Sequence, residues 1–277
     1  MTVATELVRL GDCIFKGRDG VLELPEYVMP DELNTSIPND STLLDESLLP
    51  LYPIGSKLRK RDGIWRYCKA GAAMSAVGFL KGNYVQCPGK AGNSVGSGFE
   101  GALYAPVSAG DTSFTIADTA ATKNLYAGAY FVVYNDTDSI YEAHEVIGND
   151  VSTGVYTTCY IADPGFKVDL TTAMGVTIYL NEYRGIRTMT GGYMSALGYA
   201  KMGITSAYHF WMQTAGRISG ITGASTWPGQ TQYYRDVYCN TDGSLIGYTA
   251  GYQRVGYLLA RTASDYGDNF IMLQLDQ

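Results

Sequence analysis

Short runs in which β-branched and aromatic residues alternate with polar ones recur along this chain, each closed by a cluster of turn-forming residues. Thr112–Ile116, Ala129–Tyr134, Ser139–Ile147, Gly154–Ile161 and Val176–Leu180 are predicted strands. Asn135-Asp136, Gly148-Asn149-Asp150 and Asp163-Pro164-Gly165 separate several of them. Strands at this spacing predict a small barrel or sandwich over 111–186. A second β domain is expected over 187–277, from Ala207–Gln213, Arg235–Cys239, Arg254–Arg261 and Asn269–Leu275, with a turn at Asp242-Gly243. Ahead of both, Tyr52–Gly71 reads as a hairpin. Its turn is expected at Asp62-Gly63, since both residues tolerate positive φ, and beyond it Ile64, Arg66 and Cys68 alternate with Trp65, Tyr67 and Lys69. Ala70–Gly82, rich in Ala, Met and Gly, predicts a short helix, and Gly89–Gly101 an exposed loop, completing a region 51–110. Residues 1–50 read as an extended arm. Pro25, Pro30, Pro38 and Pro50 interrupt any long element, and isolated Ile37, Leu43 and Leu44 imply ordering against the chain's own body or a neighbour. The expected fold class is therefore mainly β: small β-barrel or sandwich domains with an extended N-terminal arm and little helix.

Composition sharpens this picture. Of 277 residues 46% are hydrophobic and 17% charged, so a packed core is affordable and global disorder is excluded. Abundant glycine (33) and tyrosine (23) suit many turns and large amphipathic contact surfaces. The net charge of -7 argues against a phosphate-binding, nucleic-acid partner. Lys57–Arg61 is a local basic cluster, read as charges that keep an edge strand unpaired, or as a docking patch for an acidic protein surface. Cys13, Cys68, Cys87, Cys159 and Cys239 are odd in number, and no Cys-x-x-Cys occurs, so reduced and mostly buried thiols are expected rather than a disulfide framework or zinc site. The first residues lack a signal-peptide pattern, and no apolar run approaches the ~20 residues of a membrane span. No membrane partner is expected.

Candidate chemistry is present as motifs without context. Gly96–Gly101 matches G-x-G-x-x-G, but neither the strand before it nor the helix after it is predicted. Gly92-Asn-Ser94-Val-Gly96 matches a nucleophile elbow, again without its helix, and the chain offers only His144 and His209 as bases. Asp136 and Asp138 are spaced as in a calcium loop, but Ile140 occupies a ligand position and the glycine is missing. Glu142 and His144 share a strand face as an acid–base pair would, yet their neighbours are those of an ordinary strand. No catalytic, cofactor or metal site is expected, and the chain reads as a non-enzyme.

The aromatic residues point to contact surfaces instead. Trp65 and Trp211 sit in alternating strands as core or interface residues, whereas Trp227, in a loop, is the best candidate for an exposed aromatic, as a sugar-binding groove would require. Tyr208, Phe210 and Met212 alternate with His209, Trp211 and Gln213, so both faces of this strand are large and largely apolar. That predicts burial on one side in the core and on the other against a second chain. Ile37, Leu43, Leu44, Trp65, Tyr208, Trp211 and Trp227 are the candidate interface residues.

The Tyr52–Gly71 hairpin resembles the opening of capsid decoration (cement) proteins of tailed bacteriophages. Further segments are similar to the same family in the same order: Tyr126–Asp136, Tyr160–Pro164 with Val176–Tyr183, Tyr208–Gly216, and Val255–Ala260 with Tyr266–Leu275. Together they cover most of 52–277. Arg217 stands where the family has proline, and the arm before Tyr52 has no counterpart. The resemblance implies a structural virion protein, synthesised in the host cytoplasm, that sits on the capsid exterior as a homotrimer and stabilises the shell by bridging subunits of the major capsid protein. The alternative is a glycan- or receptor-binding adhesion module of a tail or head fibre.

Overall fold

The computed structural model describes residues 14–17, 20–25, 36–75, 77–86, 88, 98–135, 140–191, 193–220, 235–260 and 269–276. In chain order the strands are β1 (Ile14–Gly17), β2 (Gly20–Glu23), β3 (Glu46–Ser47), β4 (Lys57–Lys60), β5 (Gly63–Ala70), β6 (Leu80–Tyr84), β7 (Phe99–Ala102), β8 (Ser113–Ile116), β9 (Ala129–Asn135) and β10 (Ile140–Asn149). They continue as β11 (Thr157–Ile161), β12 (Gly175–Tyr179), β13 (Arg184–Thr188), β14 (Met194–Tyr199), β15 (His209–Gly220), β16 (Asp236–Cys239), β17 (Leu245–Ile246), β18 (Arg254–Ala260) and β19 (Asn269–Gln274). Among the described residues one 3-10 turn, Thr42–Leu44, is the only helical element. The protein is mainly β, as its alternation predicts.

The strands form two compact units. The smaller is built from 86–181, and the larger from most of the described residues before it and all of those after it. In the smaller unit six strands run in the order β7-β12-β9-β10-β11-β8, every pair antiparallel. A bridge between Leu103 and Ile116 brings the two edges of this sheet together, so it curls round its own core. Phe114, Phe131 and Phe166 pack at the centre, with ring centroids 4.3 to 5.8 Å apart.

In the larger unit β5, β13, β6, β14 and β15 form a ring closed by the β15–β5 pairing. Closure removes the edges that five short strands would otherwise expose. Cys68, Ala70, Ile186, Phe210 and Met212 pack together on one face of this ring. The opposite face of β5 and β15 carries Trp65, Tyr67 and Trp211, which pack under Leu22, Leu24, Leu43, Tyr52 and Leu58 from the N-terminal segments. The twelve-residue β15 is shared: its first part pairs with β5 and its last part with β19, carrying the sheet on through β18, β16 and β17.

Several expectations change here. The boundaries expected after 110 and 186 lie instead after 85 and 181, and the hairpin belongs with the C-terminal strands, because β5 completes their barrel. The helix expected over Ala70–Gly82 does not form. Met74 bridges to Ile204 and β6 begins at Leu80, so barrel closure overrides local helix propensity. Part of the supposed loop Gly89–Gly101 is strand β7. The hairpin itself is present, but its two turn residues are Arg61 and Asp62, since Lys60 pairs with Gly63. Gly63 is required for a different reason. A Cβ on it would stand 2.3 Å from the Ala215 carbonyl oxygen, and one on its partner Gly216, at φ +103°, would stand 2.2 Å from that of Asp62. The two glycines let β5 and β15 touch backbone to backbone.

The described parts of 1–50 lie on the larger unit itself. The β1–β2 hairpin extends the sheet from β4, and β3 pairs with the start of β15.

Candidate functional site

The arm segment 36–51 is fixed from beneath. Asn39 caps the 3-10 turn by accepting the Ser41 and Thr42 N–H groups, and Leu43 is driven into the core as the turn closes. The Leu51 N–H donates to the Tyr67 hydroxyl at 3.0 Å, and the Tyr52 hydroxyl donates to the Ser36 carbonyl at 2.8 Å. Glu46 binds the Thr205 N–H and hydroxyl, both at 2.6 Å. This scaffold creates two features.

The first is a row of exposed leucines. Leu44 is 48% exposed, Leu48 60%, Leu49 59% and Leu51 43%. Scattered apolar residues are normal on a surface, but four within eight positions concentrate exposed apolar surface on one anchored segment.

The second is a cavity of about 330 Å³ under the same segment. Tyr52, Tyr67 and Trp211 supply aromatic walls, packed on one another with centroids 5.2 Å apart. Asp45 and Glu46 add carboxylates. His209 also lines it, stacked on Tyr67 at an interplanar angle of 11°. This histidine is 5% exposed, and its Nδ1 has no hydrogen-bond partner.

Burial pushes the His209 imidazole down to about 4; the Lys69 and Arg184 charges act in the same direction, against hydrogen bonding at the Ser47 and Leu48 backbone. The ring is neutral at pH 7. As pH falls from about 6.5 to about 4, the unfolded chain takes up a proton that the folded chain refuses, so stability is lost across that window. The loss should approach 3 kcal/mol, at ~1.4 kcal/mol per unit. Urea titrations at pH 7 and 4.5 check this: the drop should be markedly smaller in His209→Phe, and an equal drop in both proteins would contradict it.

The other candidate residues divide. Trp65 and Trp211 are buried in the chain's own core at 1% and 4% exposure, and so is Leu43. Ile37 is half-buried against the same cluster, and Tyr208 against the Phe210 cluster. The inference of a second chain covering the 208–213 strand is corrected: one face packs within the barrel and the other under the arm. Leu44 alone of the set stands well exposed, and Trp227 lies outside the described residues.

The basic cluster is largely neutralised within the chain. Lys57 pairs with Asp276, Arg59 with Glu23 and Lys60 with Asp40. Glu142 and His144 meet at 2.8 Å, and the carboxylate also accepts the Lys167 and Val168 N–H groups. Burial pushes Glu142 up, but those hydrogen bonds outweigh it and hold the carboxyl below its usual range. The pair thereby clamps the 166–168 loop. Ser94, Asp136 and Asp138 lie outside the described residues. Among the described residues no cluster of three or more His, Cys, Asp or Glu is placed to hold a metal, and no helix is long and apolar enough to cross a membrane. Cys68, Cys159 and Cys239 are free, buried thiols, each pushed up by burial.

Sequence reasoning missed three features: the exposure of Leu48, Leu49 and Leu51, the cavity lined by His209, and Lys81, wholly buried and pushed down to about 8 by burial alone. Three leucines in four positions, interrupted only by Pro50, were the available signal for the first.

Comparison with known proteins gives no match: no family model, no curated protein and no solved structure is significantly similar to the chain.

Proposed function

We propose that the chain is a non-enzymatic virion protein that decorates the outside of a tailed-phage head and stabilises the shell by bridging major capsid subunits, with homotrimers as the bound form. The observation that carries this reading is the leucine row, Leu44, Leu48, Leu49 and Leu51, presented on a segment anchored by Leu43, Tyr52 and Tyr67. A preorganised apolar segment loses little entropy on docking, and since each leucine is about half exposed, covering the rest contributes about half of the ~1.5–3 kcal/mol of a full burial. The ordered resemblance over 52–277 supplies the identity of the partner. A protein that binds only the assembled shell stabilises it by mass action, and many copies multiply the effect.

The experiment is co-sedimentation with expanded heads. Leu48→Ser with Leu49→Ser should weaken binding at least tenfold, which is ~1.4 kcal/mol, while leaving the thermal midpoint within about 2 °C, because both side chains are solvent-exposed. Undiminished binding by this variant would show that the leucine row is not the docking element.

A further inference from the structure

Gly63 and Gly216 hold the β4–β5 turn against β15, and the Arg217 N–H donates to the Asp62 carbonyl at 3.3 Å. Arg61, on the turn, and Arg217, on β15, therefore spring from neighbouring backbones, and both line one open groove of about 1050 Å³. Both residues are exposed, and among the described residues neither guanidinium has a hydrogen bond or an ion pair. Lys57, Arg59 and Lys60, by contrast, are each neutralised within the chain. Of the two carboxylates among the described lining residues, Asp40 is already held by Lys60 Nζ at 2.5 Å, which leaves Asp62 alone against two free cations. The groove is thus locally positive on a chain whose net charge is -7. The rest of its lining includes Val21, Ile64 and Met272, apolar and half-buried.

We propose that this groove binds an acidic segment of a partner protein, with two of its carboxylates pairing Arg61 and Arg217 and its side-chain stems against Val21, Ile64 and Met272. A guanidinium is always charged and has no acceptor, so what it binds must accept hydrogen bonds, and its fork matches a carboxylate in both shape and charge. The complementarity is local, and that selects the class of partner. A nucleic acid would gain only two phosphate contacts here, while its other phosphates faced a chain of net charge -7. A small free anion would pair with an arginine but leave the apolar lining uncovered. An acidic peptide satisfies both. The groove shares no residue with the leucine row, and the inference does not rest on the virion reading, so the two stand or fall separately.

The test is fluorescence anisotropy of a fluorescein-labelled hexaglutamate peptide, titrated with the full chain to about 1 mM in about 20 mM and about 200 mM sodium chloride. The peptide should bind saturably, with a sub-millimolar Kd at the lower salt. Binding should weaken at least fivefold at the higher salt, because exposed charges are screened there. Hexaglutamine should not bind. Arg61→Gln with Arg217→Gln should weaken hexaglutamate binding at least tenfold without moving the thermal midpoint, since both side chains are exposed and unpaired. Lys123→Gln with Arg235→Gln removes the same charge from exposed residues outside the groove and should change binding less than twofold. No saturable hexaglutamate binding overturns the proposal. So does binding that survives in the Arg61 and Arg217 variant, or an equal loss in the two double variants. A labelled six-nucleotide oligothymidylate that binds as tightly as hexaglutamate would assign the groove to nucleic acid and overturn it too.

Discussion

Removing residues 1–50 should abolish the cooperative fold of the larger unit, not merely detach a docking arm. The segment supplies Leu22, Leu24 and Leu43 to the cluster that covers Trp65, Tyr67 and Trp211, together with two strands that lengthen the sheet from β4 and one that pairs with β15. Without it the outer face of the barrel at β5 and β15 is covered only by Tyr52 and Leu58. Burying each such large side chain contributes about 1.5–3 kcal/mol. Releasing the arm's conformational entropy offsets part of that, yet the loss is still on the order of 5 kcal/mol, against a whole-domain stability of about 5–15 kcal/mol. Tryptophan fluorescence reports on the larger unit, because Trp65 and Trp211 lie in its core and the sequence has no tryptophan within 86–181. The truncated protein should show red-shifted emission and no cooperative urea transition by this probe. A sharp transition within about 1 kcal/mol of the intact chain would mean that the arm contributes nothing to the fold.

That expectation reverses the one from sequence alone, and the reversal shows where legibility ends. Alternation was readable: β8, β9, β10 and β12 of the smaller unit fall close to their predicted runs, because each strand needs one apolar face and the turn residues between them are explicit. What covers a face was not readable. Tyr208–Gln213 is apolar on both sides, and the pattern is the same whether the second cover is another chain or a distant segment of the same one. The structure supplies residues more than 150 positions earlier, Leu43 and Tyr52 among them. The same limit affected single residues. Leu43 and Leu44 are neighbours of identical chemistry, one 5% and the other 48% exposed, and only the 3-10 turn decides between them. Ala70–Gly82 failed for a related reason. Its composition favours helix locally, but Gly71 passes so close to Gly185 that a Cβ there would stand 2.7 Å from the carbonyl oxygen, a packing that only the closed barrel specifies. The cavity beside His209 needs three separated segments, and no local pattern announces it.

Asp276 should prove the most sensitive single position outside the apolar core. Lys57 and Arg66 lie directly opposite each other in the β4–β5 ladder, an arrangement of like charges that ordinarily destabilises a sheet. Asp276 lies between them: Lys57 Nζ donates to Oδ1 at 2.9 Å and Arg66 Nε to Oδ2 at 2.6 Å, while another Arg66 nitrogen donates to the Gly55 carbonyl at 2.9 Å. The Lys57 and Asp276 side chains are 9% and 10% exposed, so solvent cannot substitute for a lost partner. Asp276→Ala would leave two cations facing each other in a poorly solvated site, and breaking a buried pair from one side costs about 3–5 kcal/mol. Burial alone would push the Asp276 carboxyl up, but its hydrogen bonds and charge interactions with Arg66 and Lys57 outweigh this and hold it below the usual carboxylate range. A carboxyl depressed in the folded state contributes stability above its unfolded value of about 3.9 and loses it as pH falls through the folded value. The gap between wild type and Asp276→Ala should therefore be full at pH 7 and narrow on acidification below about 4. Replacing Lys57 as well, Lys57→Met with Asp276→Leu, should recover part of the loss, because it removes the more deeply buried of the two cations that Asp276→Ala leaves unpaired. Urea unfolding at pH 7 measures all three proteins, and an Asp276→Ala loss under about 1 kcal/mol would mean that the two cations are neutralised elsewhere.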